Sequence, residues 1–474
     1  MDAGVRQHDE MKDLLTKSAL ELLALIRGRE LSPVELVQAS LDALERSQST
    51  INAFVRSTPE LAVAAAREAE REVMAGRPLR ALHGLPISVK DLIALEGYPL
   101  TYGSQTMKDN VAKFDAPTVE RLKAAGACIV GKTTTSEFGC KVAGDSPLTG
   151  ITRNPWNLEK TPGGSSSGAA ASVAAGVTPF ALGTDAGGSI REPAAFTGLF
   201  GIKAQFARVP VFPPTAAPTL SHVGPIARTV RDAALLLEVI AGFEARDPFS
   251  VAEPVPKFLD ACDQPIRGMR IAWSPTLGFA QPSREIVAIC ERAAKAFETL
   301  GCNVELVEKV LDEDPADIWS AEFYGGIRTR FAQQYRESRE LLDPAIVATL
   351  DATADEPLTS YYAKVFRRYE LRDRMRLFFG RYDLLLTPQT PLPAIDVGVN
   401  VPPQYAGRNL CSWLFYAYPF NLTGQPSASV PTGLTHDGLP VGLQMVAKVN
   451  GECDIFRAAA AFERAFPFPH RRST

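Results

Sequence analysis

Serine hydroxyls in two glycine-rich loops are the side chains of this sequence best suited to nucleophilic chemistry. The first loop, residues 161–168, has the sequence TPGGSSSG, and the second, residues 183–191, has the sequence GTDAGGSIR. Glycine adopts backbone conformations that other residues resist, and it lets a ligand approach backbone N–H groups closely. A serine in each loop therefore indicates a nucleophile and a helper. The plain alternatives are a flexible polar turn for the first loop and a helix cap or anion nest for the second.

Lys90 is the candidate base, because a serine hydroxyl needs a base before it can act as a nucleophile. The chain has only five histidines, namely His8, His83, His222, His436 and His470. Lys90 lies within residues 84–91, GLPISVKD, where Ile87 and Val89 indicate a buried strand. Burial disfavours a charged ammonium and lowers the pKa of a lysine. A buried Lys90 can therefore be neutral and accept a proton, whereas an ordinary solvated lysine has no such role.

A second hypothesis places the nucleophile at Ser166. Residues 164–168 match G-x-S-x-G, the nucleophile elbow of α/β-hydrolases. An elbow directly follows a strand, but residues 153–160 are typical of a turn-rich loop. An elbow also needs a later histidine, and three histidines follow Ser166, so this alternative stays open.

Other motif matches are weaker. Residues 126–133 fit the phosphate-binding pattern G-x-x-x-x-G-K-[ST], but their centre, ACIV, is typical of a strand, and no helical pattern begins at Thr133. Residues 421–423 fit a glycosylation sequon, but no secretory signal supports its use. No histidine stands in a metal-binding spacing with another histidine or a cysteine. We therefore expect neither a metal nor another cofactor.

Taken together, the loop and strand motifs resemble those of the amidase signature family. The segments that carry the resemblance are residues 84–91, 162–168 and 183–191, with support from residues 131–139, 154–157, 424–426 and 438–444. The resemblance extends over residues 18–240 and 383–465. It implies an α/β fold in a single large domain, with a mixed twisted β-sheet covered by helices on both faces.

For the site, the resemblance implies a Ser–cis-Ser–Lys triad. The family spacing between the two serines selects Ser165 rather than Ser166 as the partner of Ser189. Ser189 is then the implied nucleophile, Ser165 the bridging serine after a cis peptide bond, and Lys90 the base. The family usually has glycine where Ser167 stands in this chain.

Backbone groups complete the implied site. The oxyanion would be held by the backbone N–H groups of Ala186, Gly187, Gly188 and Ser189. The implied substrate-binding residues are Gly139, Cys140 and Ser165. Asp185 and Arg191 are expected to brace the second loop rather than to react.

The implied function is that of a serine hydrolase that cleaves the C–N bond of a small amide, anilide or carbamate through an acyl-enzyme. The resemblance is to stand-alone amidases similar to the aryl-acylamidase and carbamate-hydrolysing members, and residues 136–139, SEFG, resemble the stand-alone amidases more than the amidotransferase subunits. The alternative is the amidase component of a glutamine-dependent tRNA amidotransferase. A third hypothesis, an inactive binding protein on the same fold, is disfavoured because Lys90, Ser165 and Ser189 are all present.

Composition limits the partners and the compartment. The 474 residues carry a net charge of −4, which argues against nucleic-acid binding led by phosphate contacts. The longest apolar run, residues 169–183, is too short and too rich in alanine to span a bilayer. The seven scattered cysteines contain no C-x-x-C pair, and no apolar signal segment opens the chain. We therefore expect a cytoplasmic protein with a small-molecule substrate, and a homodimer is an open alternative to a monomer.

Strands and helices are expected to alternate around the loops, as in an α/β sheet. S-x-x-E capping boxes at Ser18 and Ser32 predict two helix starts. A helix between the strand at residues 84–91 and the next predicted strand makes those two strands parallel. Beyond residues 84–91, strands are predicted at residues 128–130, 179–182, 269–273 and 302–307, a buried strand at 383–388, and two more strands within residues 421–447.

We expect one domain over residues 1–474 with four regions. These are a helical preamble at 1–75, a catalytic signature core at 76–240, a variable substrate-pocket region at 245–420, and closing strands and helix at 421–466. Aromatic residues of the variable region favour an apolar or aromatic substrate, with ordinary core packing as an equal alternative. They are Trp319, Phe323, Tyr324, Tyr361, Tyr362, Trp413, Phe415 and Tyr416.

Overall fold

An 11-stranded mixed sheet, flanked by helices, forms the centre of the computed structural model, which describes residues 14–353 and 356–469. The strands are β1 (Phe54–Ser57), β2 (Pro86–Lys90), β3 (Cys128–Thr133), β4 (Asp145–Ser146), β5 (Gly150–Ile151), β6 (Phe180–Asp185), β7 (Phe200–Lys203), β8 (His222–Ala227), β9 (Arg270–Trp273), β10 (Asn303–Leu306), β11 (Leu384–Pro388), β12 (Ser427–Leu434) and β13 (Pro440–Ala447). Their order in the large sheet is β1-β3-β2-β6-β8-β7-β12-β13-β11-β9-β10, and β4 and β5 form a separate pair. The predicted α/β fold with one large mixed sheet is confirmed.

The helices surround this sheet. They are α1 (Ala19–Gly28), α2 (Pro33–Ile51), α3 (Pro59–Met74), α4 (Pro117–Ala124), α5 (Ser167–Ala174), α6 (Arg191–Thr197), α7 (Val230–Ile240), α8 (Phe258–Ala261), α9 (Arg284–Thr299), α10 (Ala316–Arg330), α11 (Ala332–Glu337), α12 (Pro344–Ala352), α13 (Leu358–Phe378), α14 (Pro419–Thr423) and α15 (Glu452–Ala465). Short 3₁₀ turns occur at Gln105–Met107, Glu137–Gly139, Arg339–Leu341 and Pro403–Tyr405. Both predicted capping boxes are present, at Ser18 and Ser32.

Three strands of the large sheet were not predicted from the sequence patterns. β1 lies within the expected helical preamble, where it pairs with β3 at the edge of the sheet. β7 and β8 contain glycine or proline, residues that patterns assign to turns. Both strands are nevertheless buried and paired on two sides, because the helices and strands around them exclude water. His8 and His470 lie outside the described residues.

The register of three neighbouring strands positions the candidate base. β2 runs parallel to both β3 and β6, which confirms the predicted parallel pair. Every residue of β2 is buried, so strand alternation does not turn Lys90 towards solvent. The carboxyl ends of parallel strands meet at one edge of a sheet, and Lys90 therefore lies beside the end of β6, where the second glycine-rich loop begins.

The two glycine-rich loops each lead into a helix. The first loop ends where α5 starts, and Gly168 there packs so closely that an added Cβ would lie 2.1 Å from the backbone oxygen of Ala53. The second loop joins β6 to α6. The sheet therefore brings together two loops that the intervening helix and strand separate along the chain.

Two adjacent glycines test how tightly α10 packs against residues 210–217. A Cβ on Gly326 would lie 1.9 Å from the backbone oxygen of Ala216, whereas nothing lies within 4 Å of the same position on Gly325. We expect Gly326→Ala to lower the free energy of unfolding by about 1–3 kcal/mol, because the helix must move away from that backbone. Gly325→Ala in the same helix should raise it by about 0.5–1 kcal/mol. Urea unfolding measures both changes, and equal stability of the two variants would contradict the close packing.

Candidate active site

Lys90 lies at the centre of a buried group of hydroxyls. Its Nζ atom is 2.7 Å from Ser165 Oγ, 2.9 Å from Thr184 Oγ1 and 3.0 Å from Ser166 Oγ. The lysine side chain is fully buried. Burial lowers the pKa of Lys90 well below its usual value, and the negative charge of Asp185 opposes that shift only in part.

The hydrogen bonds of Ser166 distinguish the hydroxyls around the lysine. Ser166 Oγ donates to the backbone oxygen of Thr184 at 3.1 Å, so its proton is already committed, and Ser166 accepts an N–H from Lys90. Thr184 Oγ1 accepts another N–H of Lys90. A neutral amine has two N–H groups and one lone pair, and the lone pair then faces Ser165. The geometry thus favours Ser165 as the hydroxyl that passes its proton to Lys90.

The two serines of the implied relay lie on neighbouring loops. The peptide bond between Gly164 and Ser165 is cis, as the resemblance implied. Ser165 is buried and Ser189 is half-buried, and both line the same cleft. The backbone N–H of Ser166 donates to the backbone oxygen of Ser189 at 3.3 Å. This bond ties the first loop directly to the second.

A buried ion pair braces the second loop. Arg191 donates to both carboxylate oxygens of Asp185, at 2.9 and 3.0 Å, and both side chains are fully buried. Burial alone would raise the pKa of Asp185, but the charge of Arg191 outweighs it and holds that pKa well below its usual range. Arg191 also donates to Asn421, Ser427 and Gln444. These bonds fasten the loop to α14, β12 and β13, and they place the side chain of the sequon residue Asn421 inside the protein.

Gly188 differs from the other implied oxyanion donors. Its N–H donates to Asp185 Oδ1 at 2.8 Å and is therefore already engaged. Ala186, Gly187 and Ser189 remain as donor candidates. Trp319 of α10 covers this turn: its Nε1 donates to the backbone oxygen of Ala186 at 2.8 Å, and a Cβ on Gly187 would lie 2.6 Å from the indole.

The cleft that contains Ser165 and Ser189 has largely apolar walls. One wall comes from residues 92–102 and another from residues 210–217, which sequence analysis did not single out. Phe138 and Phe331 stack on a third side with ring centroids 4.0 Å apart, and Phe331 also packs against Tyr102 of the first wall. Gly139 completes the floor, since an added Cβ would lie 3.3 Å from Ser165 Oγ.

Cys140 is not part of this lining. Its side chain is fully buried, and the lining of the cleft includes its neighbours Phe138 and Gly139 instead. Burial raises the pKa of the Cys140 thiol well above its usual value. Its backbone oxygen accepts from the Cys411 thiol at 3.3 Å. Cys140, which the resemblance named as a substrate-binding residue, therefore lies beside the cleft with its side chain in the core, directly after the turn at Glu137–Gly139.

The aromatic residues of the variable region have mostly structural positions. Phe323 lines the cleft, as do Ile327 and Phe331, which sequence analysis did not name. Trp413, Phe415 and Tyr416 belong to one buried cluster, and Trp319 and Tyr324 belong to another. Tyr362 is 53% exposed. Core packing therefore accounts for most of the set, since a sequence pattern does not distinguish a core aromatic from one that lines a cleft.

The alternative motifs do not form the sites they would require. Among the described residues, no histidine hydrogen-bonds to Ser166, and a loop rather than a strand precedes it. The phosphate-binding pattern ends inside β3, where the buried Lys132 donates to the backbone oxygens of Ile93 and Pro99. Within residues 14–353 and 356–469, no group of three potential metal ligands occurs, and no helix is long and apolar enough to cross a membrane.

Comparisons with known proteins show which proteins this chain is similar to. The Amidase family model matches residues 35–456. The chain is 34% identical to the acylamidase of Rhodococcus erythropolis over 96% of each chain. It is also 34% identical to a glutamyl-tRNA(Gln) amidotransferase subunit of Geobacillus kaustophilus, over 95% of this chain and 98% of the relative.

A solved structure has the same fold. The crystal structure of a bacterial aryl acylamidase of the amidase signature enzymes superposes with a TM-score of 0.89. The two chains are 33% identical, and the match covers 95% of this chain and 96% of the other. The fold and the sequence therefore indicate the same set of relatives.

Proposed function

Because the chain belongs to the amidase signature family and is a hydrolase of amide C–N bonds, we propose that it is a stand-alone serine amidase. Its proposed substrates are small amides, anilides or carbamates, and its proposed intermediate is an acyl-enzyme on Ser189. The observation that carries the proposal is the 2.7 Å contact between buried Lys90 and Ser165. It supports a neutral lysine as the end of a proton relay that starts at Ser189.

In the acylation step, neutral Lys90 accepts the proton of Ser165 while Ser165 accepts that of Ser189. Ser189 Oγ bonds to the carbonyl carbon, and the resulting oxyanion accepts hydrogen bonds from the N–H groups of Ala186, Gly187 and Ser189. Removing one such donor typically lowers the rate about 10²–10³-fold. The proton then returns through Ser165 to the substrate nitrogen, the C–N bond breaks and the amine leaves.

The deacylation step reuses the same groups. Water attacks the ester on Ser189, and its proton passes through Ser165 to Lys90. The bond between the acyl carbon and Ser189 Oγ breaks, Ser189 regains a proton and the carboxylic acid leaves. Each turnover therefore begins and ends with a neutral Lys90.

The charges of the cleft leave the ammonium group of glutamine without a partner. Among the described residues that line it, the ionised side chains are Asp185 and Arg330, because burial holds the pKa of His222 well below its usual value. The carboxylate of Asp185 is already paired with Arg191. No lining carboxylate of the described residues therefore remains for the ammonium group of glutamine, and burying that group without a partner is costly.

A serine series tests the roles in the relay. We expect Ser189→Ala to abolish covalent labelling by a fluorophosphonate, since the nucleophile is lost. Ser165→Ala should slow labelling by about 10²–10⁴-fold, the range for a positioned proton-transfer group. Ser166→Ala should keep labelling at Ser189 and slow it less than Ser165→Ala does, because Ser166 Oγ only supports Lys90 and Thr184 through hydrogen bonds of about 1 kcal/mol each. Mass spectrometry of the labelled peptide measures each rate, and retained labelling in Ser189→Ala would revive the hypothesis of Ser166 as nucleophile.

The pH dependence tests the charge state of Lys90. A base must be unprotonated, and the pKa of Lys90 is lowered by burial. We therefore expect kcat/KM to rise with pH through that depressed pKa and to level off below about 10.4, the ordinary lysine value. Initial rates between about pH 5 and about pH 10 measure the profile. A flat profile over this range would count against Lys90 as the base.

The substrate class is tested with a panel of an aryl acetanilide, an aryl carbamate, an apolar primary amide and L-glutamine. We expect kcat/KM for the best apolar substrate to exceed that for glutamine by about 10²-fold or more, since glutamine buries unpaired charge. Copurified partner subunits with preferred turnover of glutamine would instead support the amidotransferase alternative, for which sequence identity is as high.

A further inference from the structure

Glu192 is a buried carboxyl group that links the two catalytic loops. It lies in the first turn of α6, shortly after Ser189, and its side chain is fully buried. Glu192 Oε2 accepts a hydrogen bond of 2.8 Å from the backbone N–H of Gly164. Gly164 immediately precedes the bridging serine, Ser165, so the acceptor on α6 reaches the opposite loop.

The backbone N–H groups on both sides of Ser165 donate hydrogen bonds to the segment that carries Ser189. The N–H on its amino side, at Gly164, binds Glu192, and the N–H on its carboxyl side, at Ser166, binds the backbone oxygen of Ser189. The Glu192 N–H in turn donates to the backbone oxygen of Gly188 at 2.8 Å, which holds the first turn of α6. Both contacts of the first loop thus end on the short segment that carries the nucleophile.

The first loop fits closely around this carboxyl group. Gly163 has φ +86°, and a Cβ on it would lie 2.5 Å from Glu192 Oε1 and 2.8 Å from Cδ. The backbone therefore passes directly over the carboxyl group, and only glycine leaves it room. A change in the length or shape of the Glu192 side chain would displace the loop.

The environment of Glu192 favours a neutral acid. Within the described residues, its Oε1 has no hydrogen-bond partner, and no cation lies within ion-pair distance of the carboxyl group. Burial raises the pKa of Glu192 well above its usual value; the Gly164 N–H opposes this shift and the charge of Asp185 adds to it. A neutral carboxylic acid accepts the Gly164 N–H through its carbonyl oxygen, and the side-chain amide of glutamine offers the same acceptor.

We propose that Glu192 is a positioning residue, whose carbonyl oxygen holds the backbone of Ser165 in register with Ser189 so that the proton relay is aligned. This proposal rests on the proposed function, since it concerns the same relay. Misplacing catalytic groups by about 1 Å can lower a rate about 10²-fold. The effect should fall on kcat rather than KM, because Glu192 is not among the residues that line the cleft.

The test compares Glu192→Leu, Glu192→Asp and Glu192→Gln in the full chain. Leucine removes the acceptor, and aspartate, which is shorter by one methylene, moves the acceptor away from the Gly164 N–H. Both variants should therefore lower kcat about 10–100-fold and leave KM within about twofold of the wild-type value. Glutamine should restore kcat to within about threefold of the wild-type enzyme. Kinetics are normalised to sites titrated with a fluorophosphonate, and hydrogen exchange of residues 162–168 should accelerate in the Leu and Asp variants only.

Glu463→Leu is the matched control. Glu463, on α15, also accepts one backbone N–H, that of Val230 at 3.0 Å, and α15 contributes no residue to the cleft. Its loss should lower the thermal midpoint without changing kcat per titrated site. Wild-type kcat in both Glu192→Leu and Glu192→Asp, or a Gln variant as impaired as they are, would overturn the positioning role. Absence of wild-type labelling at Ser189 would instead overturn the proposed function itself.

Discussion

The free-energy cost of burying a charged ammonium is the constraint on which the rest of the site depends. Lys90 lies in the interior of the sheet, where desolvation favours its neutral form. Three hydroxyls surround its nitrogen, and none of them carries a charge that would restore the proton. Asp185 is the nearby group that could do so, and Arg191 pairs with its carboxylate. A buried ion pair of this kind contributes little net stability on average. Here Arg191 balances the negative charge of Asp185, which would otherwise favour the protonated form of Lys90.

Much of this arrangement could be predicted from residue types alone. An apolar strand with one lysine predicts a buried base, and paired glycine-rich loops with serines predict a nucleophile near backbone donors. The choice between Ser165 and Ser166 could not be predicted from local pattern, because both hydroxyls lie within 3.0 Å of the same nitrogen. The two hydroxyls differ because Ser166 Oγ donates its proton to the backbone oxygen of Thr184, a residue of β6 that lies far from Ser166 in the sequence pattern.

The walls of the cleft were the least predictable part. Residues 210–217 carry three prolines and no regular element, and α10 packs directly against their backbone at Ala216. Trp413 and Phe323 are both aromatic, but Trp413 lies in a core and Phe323 in the wall of the cleft. No sequence pattern predicts a role for Glu192, because its partner is the backbone N–H of Gly164, on a loop that only folding brings near.

Helix α10 has a consequence for how new specificities can arise on this scaffold. Trp319 at its start covers the turn before Ser189, and Phe323 and Ile327 further along form a wall of the cleft. The same helix therefore contacts both the turn before Ser189 and the cleft, so a substitution that moves α10 to reshape the cleft also shifts that turn. The irregular chain at 210–217 lines the cleft without covering that turn. Substitutions that reshape the cleft and leave the turn intact are therefore best placed in that chain, at positions other than Ala216, which packs against Gly326 of α10.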